Sequence, residues 1–193
     1  SWIAEMAAIG AIAPVPASAE PILADQFAAV VDTNRIAGRT WAVPWYVDTR
    51  LQFYRKDLFA RAGHAAPPAD WAGWKAALHR VKRLSGDGNY ALLYPLNEYE
   101  QLTTLALSAG ARMLRDNGAR GAFSDPEFKA ALAFYKSLFD EGLAPLASSA
   151  QISNVWNEFA RGYFSVFLSG PWTIGDMKSR LPAAMQDKWG TAP

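Results

Sequence analysis

The sequence contains no cysteine, which excludes disulfides, zinc–thiolate centres and a cysteine nucleophile. It also lacks any uncharged apolar run of the roughly 18 to 20 residues that a spanning helix needs. Neither sign of charge dominates. With 19 basic residues against 18 acidic ones and a formal charge of +1, nothing electrostatic favours nucleic acid or an anionic membrane as partner. The densest basic stretch, His79-Arg80-Val81-Lys82-Arg83, interleaves with a helical stripe and reads as a solvated helix face. The two histidines, His64 and His79, stand apart from each other. The phosphate-loop pattern, the HExxH pair and the GxSxG elbow are all missing, so no nucleophile, metal centre or cofactor site is advertised and the chain is expected not to be an enzyme. Gly86, Gly88 and Ala91 make a formal dinucleotide fingerprint, but it precedes a strand instead of joining strand to helix.

Aromatic and apolar residues are what the chain does have. Half of its 193 residues are hydrophobic, enough to bury a core in one large or two small domains. Residues 41 to 58, WAVPWYVDTRLQFYRKDL, read as an aromatic strand ending at Val47, an acidic turning point at Asp48, and a second strand, Leu51 to Tyr54, before Asp57 opens a helix. Pro44 confines the first strand to an edge. Indole faces beside a carboxylate suit a pocket wall. Taken alone, the stretch also reads as a buried aromatic strand with a solvated Asp cap.

Along the rest of the chain, apolar spacing predicts a helix over 2 to 12, ended by Pro14 and Pro16, and a short one starting near Pro21. Met6 to Ala19 imitates a signal peptide, yet it has no basic start and carries Glu5 beside its apolar part, so it reads as a helix and its exit loop. Asp70 caps a helix whose Trp71, Trp74, Leu78 and Val81 follow at helical spacing, which makes both tryptophans packed core. Tyr90 to Leu96 is an apolar strand, with Asn97-Glu98-Tyr99-Glu100 at its exit. Met113 to Phe123 reads as a small hairpin, and Pro126 in a first turn opens a helix carrying Phe128, Leu132, Tyr135 and Leu138. Ser153 or Asn154 starts a short helix through Trp156 and Phe159. After the strand Tyr163 to Leu168, Ser169-Gly170-Pro171-Trp172 breaks the chain and a helix runs from Thr173, whose free N–H groups are expected to face the same opening as the Trp172 indole.

The strand-acid-strand stretch resembles the family 1 extracellular solute-binding proteins of sugar ABC importers, the group that contains maltose-binding protein. YALLYPL (90 to 96), SDPEFKAALAFYKSLFDEGLAP (124 to 145) and YFSVFLSGPW (163 to 172) share that resemblance. It implies an α/β, periplasmic-binding-protein-like (type II) two-lobe fold. One lobe, 48 to 189, would be largely present without its C-terminal segments, and the other, 1 to 47 with 190 to 193, only partial. It further implies a monomer that encloses a mono- or oligosaccharide in an interlobe cleft and delivers it to the permease subunits of an ABC importer. The location implied is the periplasm, or the outer face of a Gram-positive membrane through an anchor, with the export signal upstream.

On this resemblance Asp48 stands where the family has an acidic sugar contact, Glu98 at an acidic contact on a strand exit, and Trp172, after Gly170 in the GPW turn, at a stacking tryptophan. Glu100 occupies an aromatic position, which leaves stacking there to neighbouring Tyr99. Ser1 replaces a ligand-contacting acid, and Trp45 and Tyr46 join the set through closeness to Asp48. The other reading of the same residues is a glycoside hydrolase that uses Asp48 and Glu98 as its carboxylate pair.

Overall fold

The computed structural model describes residues 2–46, 49–116 and 118–193. The chain divides into two compact units, Ser1–Thr49 and Arg50–Pro193. In the first, α1 (Trp2–Ala8) is followed by the short helices α2 (Glu20–Ala24) and α3 (Ala28–Asp32) and by a hairpin of β1 (Arg35–Ile36) and β2 (Arg39–Thr40). Its two-residue turn places both Ala37 and Gly38 at positive φ, 50° and 74°, the backbone a tight antiparallel hairpin requires. Burial is slight here. Leu23 and Val31 are covered, while Trp2, Ile9 and Phe27 lie in water.

The expected strand over Trp41 to Val47 does not form among its described residues, 41–46. Trp41 instead folds back on the hairpin: its backbone N–H donates to the Asn34 carbonyl at 3.0 Å and its indole N–H to the Ile36 carbonyl at 3.2 Å. Pro44 then offers no donor for a ladder. Trp45 is 93% exposed, so these residues make no half-buried pleat.

The second unit is a four-stranded sheet with helices on both faces. In chain order it runs β3 (Leu51–Arg55), α4 (Lys56–Arg61), α5 (Trp71–Ser85), β4 (Leu92–Leu93), α6 (Glu100–Ser108), the hairpin β5 (Leu114–Arg115) and β6 (Arg120–Gly121), α7 (Pro126–Asp140), α8 (Val155–Arg161), β7 (Val166–Ser169), α9 (Thr173–Arg180) and β8 (Trp189–Ala192). The sheet order is β4-β7-β3-β8, with β4 parallel to β7 and the other two pairings antiparallel. Both faces are apolar, because the two-residue period sends Phe53, Leu93 and Phe167 one way and Tyr54, Leu92 and Val166 the other. Leu58, Phe59, Trp74, Leu78, Val81 and Leu138 cover the Tyr54 side. Phe159, Met177, Leu181 and Met185 cover the Phe53 side.

Local signals account for the helix starts. The Asp70 carboxylate accepts from the Gly73 N–H at 2.8 Å, and the Asn154 side chain accepts from the Asn157 N–H at 3.0 Å. Trp71 stacks on Phe134 with centroids 4.6 Å apart and Trp74 is buried, so both are core.

Two expectations need correction. Of Tyr90 to Leu96 only Leu92–Leu93 joins the sheet, because the Ala91 and Leu92 amides both turn to the Leu143 carbonyl after α7. Residues 190 to 193, expected with 1 to 47, belong to the second unit: β8 pairs with β3 from Gln52↔Ala192 to Arg55↔Trp189, and covers an edge that would otherwise lie open. Among the described residues no helix is long and apolar enough to cross a membrane.

Candidate functional site

A pocket of about 300 Å³ opens where β4 and β7 end, on the Phe53 side of the sheet. Leu93, Phe167 and Leu168 from the strands form its apolar floor, with Val155 and Trp156 of α8 and Ile152 as one wall. Trp156 meets Phe167 edge-on at 6.4 Å. Such an apolar floor can take the C–H face of a ligand.

The rim on the β7 side comes from the turn Gly170-Pro171-Trp172. Trp172 lines the pocket and is 52% exposed. Its indole lies over Gly170 so closely that a β-carbon there would sit 2.0 Å from Cζ3 and 2.1 Å from Cη2, so glycine is what lets the ring lie down. Gly170 is buried beneath the indole and is not part of the lining. The Arg50 guanidinium stands 5.5 Å from the Trp172 ring centroid. The free amides expected at the start of α9 are in use: Thr173, Ile174 and Gly175 donate to the carbonyls of Gly170, Pro171 and Trp172. Hydroxyls replace them, with Ser169 Oγ and Thr173 Oγ1 2.7 Å apart in the lining.

The opposite rim is the exit of β4. The Glu98 N–H donates to the Pro95 carbonyl at 3.3 Å, a turn that carries the Glu98 side chain to the pocket. Gln101, in the first turn of α6, donates its side-chain amide to Glu98 Oε2 at 2.8 Å. Asn97 reaches across to the loop after α7, accepting from the Ser149 N–H at 2.8 Å and donating to Ser149 Oγ at 2.9 Å, which fixes Ser149 at the rim. Burial, and then the Glu98 carboxylate, hold the Tyr135 phenol above its ordinary pKa. Asp176, the second carboxylate of the lining, is held by Arg180 Nε at 2.9 Å, and Arg180 lies 5.8 Å from the Trp156 ring.

The structure therefore brings Glu98 and Trp172 into one pocket, with Gly170 as the bed of the indole. Tyr99, beside Glu98, is 70% exposed and does not line the pocket. Trp45 and Tyr46 lie in the Ser1–Thr49 unit, where both are exposed. Asp48 and Ser1 are outside the described residues. Gln101, Trp156, Ser149 and Asp176 were not singled out from the sequence as site residues. Only the helical spacing that carries Gln101 back towards Glu98 could have signalled the first. Among the described residues no cluster of three or more metal-ligating side chains occurs.

The profile of one family, bacterial extracellular solute-binding protein, matches residues 1–190. The sugar-binding protein MalE of Xanthomonas citri superposes with a TM-score of 0.88 at 43% identity, covering 100% of this chain and 50% of that one. A binding protein of Brucella abortus is 32% identical over 149 residues, 75% of this chain and 36% of its own length. The mannitol-binding protein of Pseudomonas aeruginosa is 31% identical over 137 residues, 68% of this chain and 31% of its own. The chain thus spans about half the length of that solved structure and about a third of those relatives. The α/β fold anticipated from the sequence is that of the MalE-type binding proteins.

Proposed function

The chain belongs to the bacterial extracellular solute-binding proteins, and from that premise we propose that the pocket of its second unit holds a neutral sugar or sugar alcohol. The observation that carries this reading is the pairing, in one pocket, of a half-exposed indole with the carboxylates Glu98 and Asp176. A sugar ring offers an apolar C–H face to the indole and hydroxyl donors to the carboxylates. Among the described lining residues there is no Lys, Arg or His to attract a phosphate or a uronate.

The role assigned to the whole protein is that of a monomeric binding protein, outside the cytoplasmic membrane, that hands its sugar to the permease of an ABC importer. Membership of the family supports it. No nucleic acid or cofactor enters the reading. Asp48, Tyr99 and Ser1 remain proposed contacts through the resemblance alone, and Trp45 and Tyr46 through their closeness to Asp48 in the sequence. A hydrolase built on Asp48 and Glu98 is not favoured, since the matched relatives are binding proteins.

The test is calorimetry of the full chain against mannitol, maltose, maltotriose and trehalose, with galacturonate and glucose 6-phosphate as anionic controls. Saturable binding of one neutral compound, with the sugar recovered intact, is expected. Hydrolysis of a bound oligosaccharide, or a preference for the anionic controls, would overturn the reading.

A further inference from the structure

The two carboxylates of the pocket differ in what neutralises them. Asp176 accepts from Arg180 Nε at 2.9 Å, so its charge is matched by a cation on its own helix. Glu98 is met by an amide instead: Gln101 donates to its Oε2 at 2.8 Å, which supplies a hydrogen bond and no charge. Among the described residues no Lys, Arg or His forms an ion pair with Glu98. Its charge is felt within the unit, since burial first and then the Glu98 carboxylate raise the pKa of the Tyr135 phenol.

The surrounding cations leave that imbalance in place. Arg180 is engaged with Asp176 and lies 5.8 Å from the Trp156 ring, outside the lining. Arg50 stands against the Trp172 indole, which forms the rim across from Glu98, and lines a second pocket with Gln52 and Asp70. An anion entering the first pocket would meet an unmatched negative charge, and an ammonium group would match it. An ammonium has three donors and no acceptor, and its hydrogen bond to a carboxylate is roughly twice as strong as a neutral one. Glu98 is only partly buried, so water screens part of that gain.

We propose that the pocket takes amino sugars as well as neutral ones, and binds more tightly the analogue whose protonated amine replaces the hydroxyl that faces Glu98. The proposal rests on the sugar-binding reading and adds a ligand class to it, the cationic monoamino derivatives of the sugar or sugar alcohol. Discrimination by charge then runs in one direction: phosphates and uronates are rejected, and a single ammonium is favoured at one position of the ring or chain.

The experiment uses the full chain and whichever of mannitol, maltose, maltotriose or trehalose it binds, together with the analogues of that compound in which one hydroxyl at a time is replaced by an amine. Titrated at about pH 6, below the ordinary pKa of an amine, one analogue is expected to bind roughly tenfold more tightly than the parent compound. The gain should shrink in about 1 M salt and vanish at about pH 9.5, where the amine is neutral, with the parent compound measured alongside. Glu98→Gln should bind that analogue no more tightly than the parent, while Asp176→Asn should weaken both alike and keep their ratio. The salt and pH series use the wild type, so they decide the matter even if Glu98→Gln folds poorly. If every amino analogue binds no more tightly than the parent, the inference falls and the sugar reading stands. A gain that survives deprotonation of the amine, or that persists in Glu98→Gln, overturns the inference as well. If none of the four compounds binds the wild type, the sugar reading falls and the inference with it.

Discussion

Gly170 gives the sharpest perturbation of the site, because adding one methyl group there moves Trp172 without removing it. Gly170 lies in the turn after β7, and its new β-carbon would stand 2.0 Å from the indole, against 3.4 Å for an ordinary contact, so in Gly170→Ala the ring must shift by about 1.4 Å. Trp172 is half exposed, so the ring can swing outward instead of straining the core. Stability should change by no more than about 1 kcal/mol, since removing a glycine also lowers the entropy of the unfolded chain.

The water-facing half of the indole is on the order of 100 Å², so a sugar that covers it gains about 2.5 kcal/mol from area and about 0.5 kcal/mol from stacking. Trp172→Ala should therefore weaken binding by about 3 kcal/mol, roughly 150-fold. Gly170→Ala, which tilts the platform without deleting it, should forfeit about half, roughly a tenfold loss. The two changes should not add: in the Trp172→Ala background the Gly170 methyl has nothing to displace, and affinity should change by less than about twofold. Calorimetric affinity and the urea midpoint, measured on the same preparations, give the full cycle. An equal loss from Gly170→Ala in both backgrounds would show that Gly170 touches the ligand itself. A loss of stability in Trp172→Ala with affinity intact would remove the indole from the site.

Arg55 supports the second unit from within: its guanidinium grips the Asp57 carboxylate at 2.8 and 2.7 Å and donates to the Phe159 and Ala160 carbonyls in α8, so Arg55→Met should cost about 2 to 3 kcal/mol in urea denaturation. Burial pushes the Asp57 pKa up, but the hydrogen bonds and charge of Arg55, with two backbone amides, outweigh it and leave the value lowered. A lowered carboxylate pKa stabilises the fold above its unfolded value and loses that contribution as pH falls through the folded one, so the stability gap between wild type and Asp57→Asn should shrink below about pH 4. Leu138→Ala, in the fully covered layer between α7 and the sheet, should lower stability by about 3 kcal/mol and leave sugar affinity per folded molecule unchanged, read from the same midpoint and titration.

The sequence by itself determined most helices of the second unit, because a helix start and its buried stripe are settled within a few residues. Asp70, Asn154 and Pro126 mark starts that the structure contains, and Trp74 and Leu138 lie on the buried faces their spacing predicts. The hairpin near Gly118, the turn at Gly170 and the two residues that meet in the pocket, Glu98 and Trp172, were equally legible, since each announces itself by chemistry at a chain reversal.

Tertiary structure alone decided how the strands are used. Gln52 donates to the carbonyl of Pro193, 141 positions away, and no local pattern says that β8 pairs with β3 instead of joining residues 1 to 47. Trp41 to Tyr46 have strand-forming residues and no strand, because Trp41 found its hydrogen-bond partners in the hairpin before it. Gln101 reads as an ordinary polar helix residue until the fold buries it beside Glu98 and leaves its carbonyl without a donor among the described residues. Pairing, burial and unspent hydrogen bonds depend on groups far apart in sequence being brought together, and that is information only the folded chain contains.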